Sequence, residues 1–306
     1  MKLRTLGLLG ACLASTPALA SEDGTQHFPV GVNTISAGNL PPPGMLQYLD
    51  YFQVSPNPEQ HDGDGHDINN QFHLTAVADA ARFLYTWKNI QVGGLHYTTG
   101  LVVPFVNLTL DVAGHHGHDF GIGDVNIQNY LGGHTADKSL FYFFGMDTWI
   151  PVGNYDKNRL INTGNHYFTF GPNVDVTWHP APRWELTGSI MAEFNTTNSA
   201  THYHSGSDID LDYGMSYRPL HNRNFGIGVN GFFYKQYQAD TTDGVRVSDD
   251  GDKGRVFAFG PQVRYDVPFG GFVVKYQHEF AVQNRPAGEQ IWFQFAVPLT
   301  GKPKAE

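Results

Sequence analysis

The sequence predicts an all-β fold: an up-and-down antiparallel β-barrel that spans a membrane on about 12 strands. Three observations carry this reading. Long segments alternate apolar and polar residues at period two. The connections between those segments alternate long and short. An export signal precedes them all. Charged residues make up only 16% of the 306, aromatics 14%, and there are 35 glycines. That mix is too aromatic for a disordered chain. It suits a wall with one oily and one wet face. A net charge of −10 with scattered Lys and Arg gives no reason to expect nucleic acid as a partner.

The first twenty residues read as a secretory signal peptide. MKLR is basic, TLGLLGACLASTPAL is mostly apolar, and Ala18-Leu19-Ala20 forms a small-residue cleavage site before Ser21. Leu9-Gly10-Ala11-Cys12 offers the alternative of a lipoprotein processing site. Cleavage after Ala20 removes Cys12, the single cysteine, and with it any disulfide or thiol chemistry. No other segment reaches the roughly 20 apolar residues of a membrane helix. A chain that spans a membrane without such helices does so as a closed barrel.

The strand signal is clearest in RWELTGSIMAEFN, Arg183–Asn195. Trp184, Leu186, Gly188, Ile190, Ala192 and Phe194 fall on one face, and Glu185, Thr187, Ser189 and Glu193 on the other. It is twice the length of an ordinary globular strand. The pattern recurs over 165–179, 208–218, 224–238, 255–267, 271–282 and 290–299. Residues 45–54, 70–88, 91–106, 120–131 and 139–150 complete the set, although 139–150 is oily on both faces and 70–88 fits either phase. Long connections are expected at Ser55–Asn69, Asn107–Asp119, Pro151–Gly164, Thr196–Ser207 and Ala239–Gly254. Short ones are expected around Asn89-Ile90 and at Gly132–Lys138, Pro180–Pro182, Pro219–Arg223 and Pro268–Gly270. Gln283–Glu289 is of middling length. Outer-membrane barrels have this asymmetry, with short periplasmic turns and longer external loops. Trp178, Trp184, Tyr217 and Phe225 flank short turns, while Trp149, Phe194 and Tyr237 sit at the opposite ends. Two interfacial girdles would be placed so. The expected layout is signal peptide 1–20, an N-terminal periplasmic or plug segment 21–44, barrel 45–299 and tail 300–306.

Several short motifs, in order along nearly the whole mature chain, carry a resemblance. They are Leu40-Pro41-Pro42-Pro43-Gly44 before an aromatic strand, Gly121-Ile122-Gly123-Asp124, and Pro151-Val152-Gly153-Asn154-Tyr155-Asp156-Lys157-Asn158. After them come Phe194-Asn195-Thr196-Thr197-Asn198-Ser199, Lys275-Tyr276-Gln277-His278-Glu279-Phe280 and Asn284-Arg285-Pro286. Together these resemble the outer-membrane family of the meta-pathway of phenol degradation, which includes SphA-type proteins. The resemblance implies an outer-membrane barrel that moves hydrophobic or aromatic compounds. Where that family carries Glu-Asn-Arg-Pro, this chain has Gln283.

The strand phases nominate the lumen side chains Asp175, Glu185, Glu193, Asp210, Asp212, Arg218, Arg264, Lys275 and Glu279, with Arg183 beside them. Such residues either contact solute or fill the barrel as a structural network. Eight strands are filled by side chains and 16–18 leave a channel, so about twelve admits both. Three histidine clusters fall in expected external loops: His61 and His66, then His115, His116 and His118, then His202 and His204. Imidazole beside carboxylate suits Zn²⁺, Ni²⁺ or Cu²⁺. The alternative is solvated loop composition. An EF-hand read from Asp62 fails, because its sixth position is Asp67 and its twelfth His73. Some outer-membrane barrels are lipid hydrolases, which need a Ser–His pair with an orienting polar group. Ser189 lies on the polar face with no histidine in a matching place, so that reading ranks behind the others and no catalysis is expected. No cofactor is implied. The expected partners are outer-membrane lipid and a small apolar or aromatic solute, with oligomeric state left open. Two functional classes follow. One is a passive route, along the lumen or out through a gap in the wall. The other is a closed structural or surface-binding barrel with working external loops.

Overall fold

The structure, a computed structural model, describes residues 26–68, 71–219 and 224–300. The signal peptide and residues 301–306 lie outside the described residues. Thirteen strands build one sheet: β1 Leu46–Asn57, β2 His73–Val92, β3 Leu95–Val112, β4 His115–Ile122, β5 Val125–His134, β6 Leu140–Ile150, β7 Thr169–Ala181, β8 Trp184–Asn195, β9 Asp208–Tyr217, β10 Phe225–Gln236, β11 Arg255–Val267, β12 Gly270–Gln283 and β13 Glu289–Pro298. Successive strands pair antiparallel, and β1 closes on β13 from Gln47↔Pro298 to Val54↔Ile291. β4 and β5 both pair with β3, over Phe105–Val112 and His96–Val102, and so form one interrupted wall strand. The wall therefore has the expected twelve strands. Closing the sheet leaves it no open edge, as lipid demands.

Side chains sort by phase as the alternation requires. On β8, Ile190 and Phe194 are 49% and 47% exposed on the outer face, whereas Glu185, Ser189 and Glu193 are buried inside. Val174 and Trp178 on β7 and Phe259 and Val263 on β11 continue the outer band. Trp184 packs on Tyr217 with ring centroids 4.8 Å apart at the short-turn end.

Three expectations fail. The stretch Asn107–Asp119 is not a long loop. β3 and β4 run through it as a protruding hairpin, turning at Ala113 and Gly114 with φ of 50° and 81°. The turn between β2 and β3 lies at Gly93-Gly94 rather than Asn89-Ile90. Both glycines have positive φ, 60° and 84°, as a tight hairpin needs. The register shift between Thr86 and Gln91 places Asn89-Ile90 in a bulged stretch instead. Trp149 is not part of a girdle. Its neighbours Phe144 and Met146 face outward, which turns Trp149 inward to 5% exposure.

The external connections pair with one another. Glu59–Gln60 bonds to Pro286–Ala287, and Tyr203–His204, Thr241–Thr242 and Val245–Arg246 form a small three-stranded sheet.

A charge on the outer face near mid-wall should be costly. Ile190→Arg is expected to destabilise the folded barrel by about 2–4 kcal/mol. Urea titration in lipid vesicles measures this, with the inward Thr187→Ser as the tolerated control.

Candidate functional site

The inner face of the barrel carries many buried polar side chains that need partners. The segment from Gln26 to Gly44 runs through that interior, and the polar inner faces of β7–β12 hold it at successive levels. Near the external end, His27 bonds to Asp124 at 2.8 Å and Thr169 at 2.6 Å. The Phe28 amide donates to Glu193 at 3.1 Å. Lower down, the amides of Gly31 and Asn33 donate to the two oxygens of Asp212, at 2.6 and 2.8 Å. Lys275 Nζ donates to the carbonyls of Gly31 and Val32, at 2.6 and 2.8 Å. Ser36 donates its amide to Glu185 at 2.9 Å, and Gly38 donates to Thr177 at 3.0 Å. Gly44 reaches the carbonyl of Thr86, at 2.7 Å, near the short-turn rim. Gly31 has φ +85°, and an added Cβ there would sit 2.4 Å from Gln277, so only glycine fits. Phe28, Val30 and Val32 pack with Trp149, Phe232 and Trp292 in one buried apolar cluster.

The opposite inner wall is different. β2 points Ala76, Ala78, Ala80 and Leu84 inward, and β3 points Val102, Pro104, Val106 and Leu108 inward. Little polar surface faces the N-terminal segment on this side, and the two do not fully meet. A cavity of about 320 Å³ remains between them, bounded by Phe28, Val30, Ala80, Val106, Trp149 and Trp292. A second, of about 190 Å³, lies toward the short turns beside Leu40, Leu49, Leu84, Phe143 and Phe295. Val32, Asn33, Tyr51 and Arg82 border both cavities.

Arg82 is the charge this wall places between the two cavities, 9% exposed. It donates to Gln128 at 2.7 Å, to the Tyr51 hydroxyl at 3.1 Å and to the Tyr130 hydroxyl at 3.3 Å. Asp147 closes the network, accepting from Tyr130 at 2.7 Å, Gln128 at 2.8 Å and Asn173 at 2.8 Å. Beside it Asn126 is 2% exposed, and neither atom of its side-chain amide has a partner among the described residues. Sequence reasoning missed Arg82, Asn126 and Asp147 because they lie where the phase was ambiguous. Arg82, standing in a row of small apolar residues, was the available signal.

The residues nominated for the lumen all face inward, but none of the nine borders the larger cavity, and only Arg264 reaches the second. Glu185, Glu193, Asp212 and Lys275 hold the N-terminal segment. Arg264 joins Ser36 at 2.7 Å, Glu185 at 3.3 Å and Asp266 at 2.7 Å, and Arg218 pairs with Asp266 at 2.7 Å. Glu279 accepts from Gln290 at 2.9 Å and from the Gly288 amide at 3.1 Å. Asp175 and Asp210 are buried. Ser189 lies between Asp175 and Asp212 in cross-strand register.

The histidine clusters are bonded locally. His61 meets the Gly65 carbonyl and Glu59, both at 3.0 Å. His66 is 3.8 Å from Asp62, and the His66 amide, with that of Asp64, holds the Asp62 carboxyl below its usual range. His115, His116 and His118 sit on β4 rather than in a loop. His116 bonds to Asp111 at 2.7 Å and His118 to Asn107 at 2.9 Å. His202 pairs with Asp243 at 3.1 Å, and His204 lies in the small external sheet. Among the described residues, the group with metal-competent atoms in mutual reach is Glu193, Asp208 and Asp210, without any histidine.

Comparison with known proteins follows from this geometry. Residues 59–295 match the family model described as "Putative MetA-pathway of phenol degradation". The chain belongs to that family. Among solved structures, the COG4313 outer membrane channel from Pseudomonas putida F1 is similar at a TM-score of 0.76 and 15% identity, covering 86% of this chain and 98% of that one. The transport unit of the autotransporter AIDA-I from Escherichia coli gives 0.49 at 9% identity, covering 84% and 90%. The β domain of the Bordetella autotransporter BrkA gives 0.48 at 9% identity, covering 83% and 99%. The chain thus shares its barrel fold with the Pseudomonas channel. Among curated proteins none matches the chain.

Asp212→Ala removes the acceptor of two segment amides. Hydrogen bonds to charged groups are worth roughly 1.5–3 kcal/mol each, so the segment should loosen by about 3 kcal/mol. Amide exchange at Gly31 and Asn33 is then expected to speed up about a hundredfold, read by hydrogen–deuterium exchange on the folded chain.

Proposed function

We propose that this chain is a passive outer-membrane channel for small apolar or aromatic molecules, and that its route runs down the inner face of β1–β3. The observation that carries the reading is the pair of stacked cavities that meet at Tyr51 and Arg82. Ligand sites are concave, mostly apolar, and carry a few placed polar groups. The outer cavity fits that description, with Ala80, Val106, Trp149 and Trp292 as walls. Asn126 there has an amide with unmet hydrogen-bonding capacity. A solute with an aromatic or aliphatic body and one hydrogen-bonding group, phenol being the simplest, matches it.

The family's description, which concerns phenol degradation, supports this solute class. The fold shared with an outer membrane channel supports the location. The polar half of the lumen is taken up by the N-terminal segment, which acts as a plug against ions and hydrophilic solutes. A molecule entering from the external side would occupy the outer cavity and then pass Tyr51 once the Arg82–Tyr51 hydrogen bond opens. It would leave through the inner cavity toward the periplasm. This chemistry needs no nucleophile, cofactor or energy input. The outer band of Val174, Ile190, Phe259 and Val263 would face lipid.

Uptake by cells that depend on the channel tests the reading, with a radiolabelled phenol-type solute at limiting concentration. Ala80→Trp fills the outer cavity and should reduce uptake several-fold while the heat-resistant folded form persists. Tyr51→Ala widens the junction and should raise it. Unchanged uptake in Ala80→Trp would remove this route from consideration. Large, stable ion-conductance steps from the wild type in a planar bilayer would show an aqueous pore instead.

A further inference from the structure

We propose that Glu193, Asp208 and Asp210 form a binding site inside the barrel for a hard divalent cation, calcium. The site is separate from the solute route, and its existence does not depend on what the cavities carry. Glu193 on β8 stands directly opposite Asp208 on β9, and Asp210 follows two residues on, on the same inner face. Like charges in direct cross-strand register destabilise a sheet. Here three carboxylates place oxygens within 4.8 Å of one another. They are 1%, 2% and 1% exposed. Carboxyl groups buried this deeply take up protons, pair with cations or coordinate a metal.

Pairing within the protein does not account for them. Glu193 takes one hydrogen bond, from the Phe28 amide. Neither oxygen of Asp210, nor Oδ1 of Asp208, has a hydrogen-bond partner among the described residues. Lys275 is already engaged with Gly31, Val32 and Thr34. The other nearby cation, Arg285, lies over the Tyr234 ring at 4.5 Å and donates to Gln26 at 2.9 Å. Among the described residues neither cation comes within ion-pair distance of the three carboxyl groups; Tyr234 hydrogen-bonds Asp208, and the Arg285 charge acts on Asp208 and Asp210 only from further off. What remains is a set of carboxyl oxygens, three of them without a hydrogen-bond partner among the described residues, with no sulfur or imidazole.

That donor set selects the cation. Calcium takes six to eight oxygens, accepts carboxylates singly or doubly, and tolerates irregular geometry. Magnesium demands a near-octahedral shell and retains most of its water, and zinc, nickel and copper favour nitrogen or sulfur. Because Glu193 also accepts from Phe28, a cation there would fix the carboxylate that anchors the outer end of the N-terminal segment. Calcium would then stiffen both the β8–β9 wall and the segment lying on it.

The test uses the mature chain, folded in detergent and stripped with a chelator, titrated calorimetrically with calcium chloride and separately with magnesium chloride. The expected result is one calcium per chain, bound more tightly than magnesium, with a rise in the urea midpoint on addition of calcium. Asp210→Asn removes no hydrogen bond and keeps the side-chain shape. It should bind calcium at least tenfold more weakly, and so should Asp208→Asn and Glu193→Gln, the three together guarding against a variant that does not fold. Heat-modifiable gel migration confirms folding in each case. Absence of calcium binding by the wild type would overturn the proposal. So would equal binding by wild type and folded variants, which would place calcium on the external loops. A gain in stability of Asp210→Asn with calcium-silent wild type would also overturn it, showing that the cluster is held by shared protons.

Discussion

A closed wall with a polar inner face has to find partners for those side chains, and for much of the β7–β12 arc this chain supplies them from its own N-terminal segment. The backbone of Gly31 and Asn33 binds Asp212, that of Phe28 and Ser36 binds Glu193 and Glu185, and Lys275 collects the carbonyls of Gly31 and Val32. A peptide in extended or turn conformation offers unpaired N–H and C=O groups at every residue. It is therefore a natural filling for a polar tube. The rest follows from where this filling stops. It fits the charged arc of β7–β12 and leaves space against the apolar arc of β1–β3.

The legibility of the sequence divides along the same line. From about residue 165 onward the strand phases, lumen charges and lipid-facing rows were readable, because polar-in and apolar-out give a strong period of two. Between residues 70 and 150 that period fades. Ala76, Ala78 and Ala80 face inward beside Arg82, while Val77, Ala81 and Phe83 face outward beside Thr75 and Asp79, so both rows are mostly apolar with a charge in each. The loss of alternation hid Arg82, Asn126 and Asp147, the polar groups around the cavities.

The remaining discrepancies have local causes. His115–Asp119 looked like loop because Gly and His are weak strand formers, yet pairing with Leu108, Thr109 and Leu110 carries the hairpin beyond the wall. Its inner row joins Phe72 and Ile161 in an apolar cap over the external mouth. Trp149 looked like a girdle residue by its place near a strand end. Its phase instead sends it against His27, with ring centroids 5.8 Å apart. In both cases tertiary contact decided what local pattern could not.

The short pairing of Glu59–Gln60 with Pro286–Ala287 has a consequence for how the molecule assembles. These residues belong to the connections that follow β1 and precede β13, the two strands whose union completes the ring. That union joins Gln47 to Pro298, nearly the full length of the chain apart, so it carries the greatest loop-closure entropy in the protein. Most other wall pairings join neighbours in sequence and form early at little entropic cost. The outer latch adds contacts at the one seam that local folding cannot pre-assemble. It makes ring completion, rather than strand formation, the step at which two distant ends must find each other and hold.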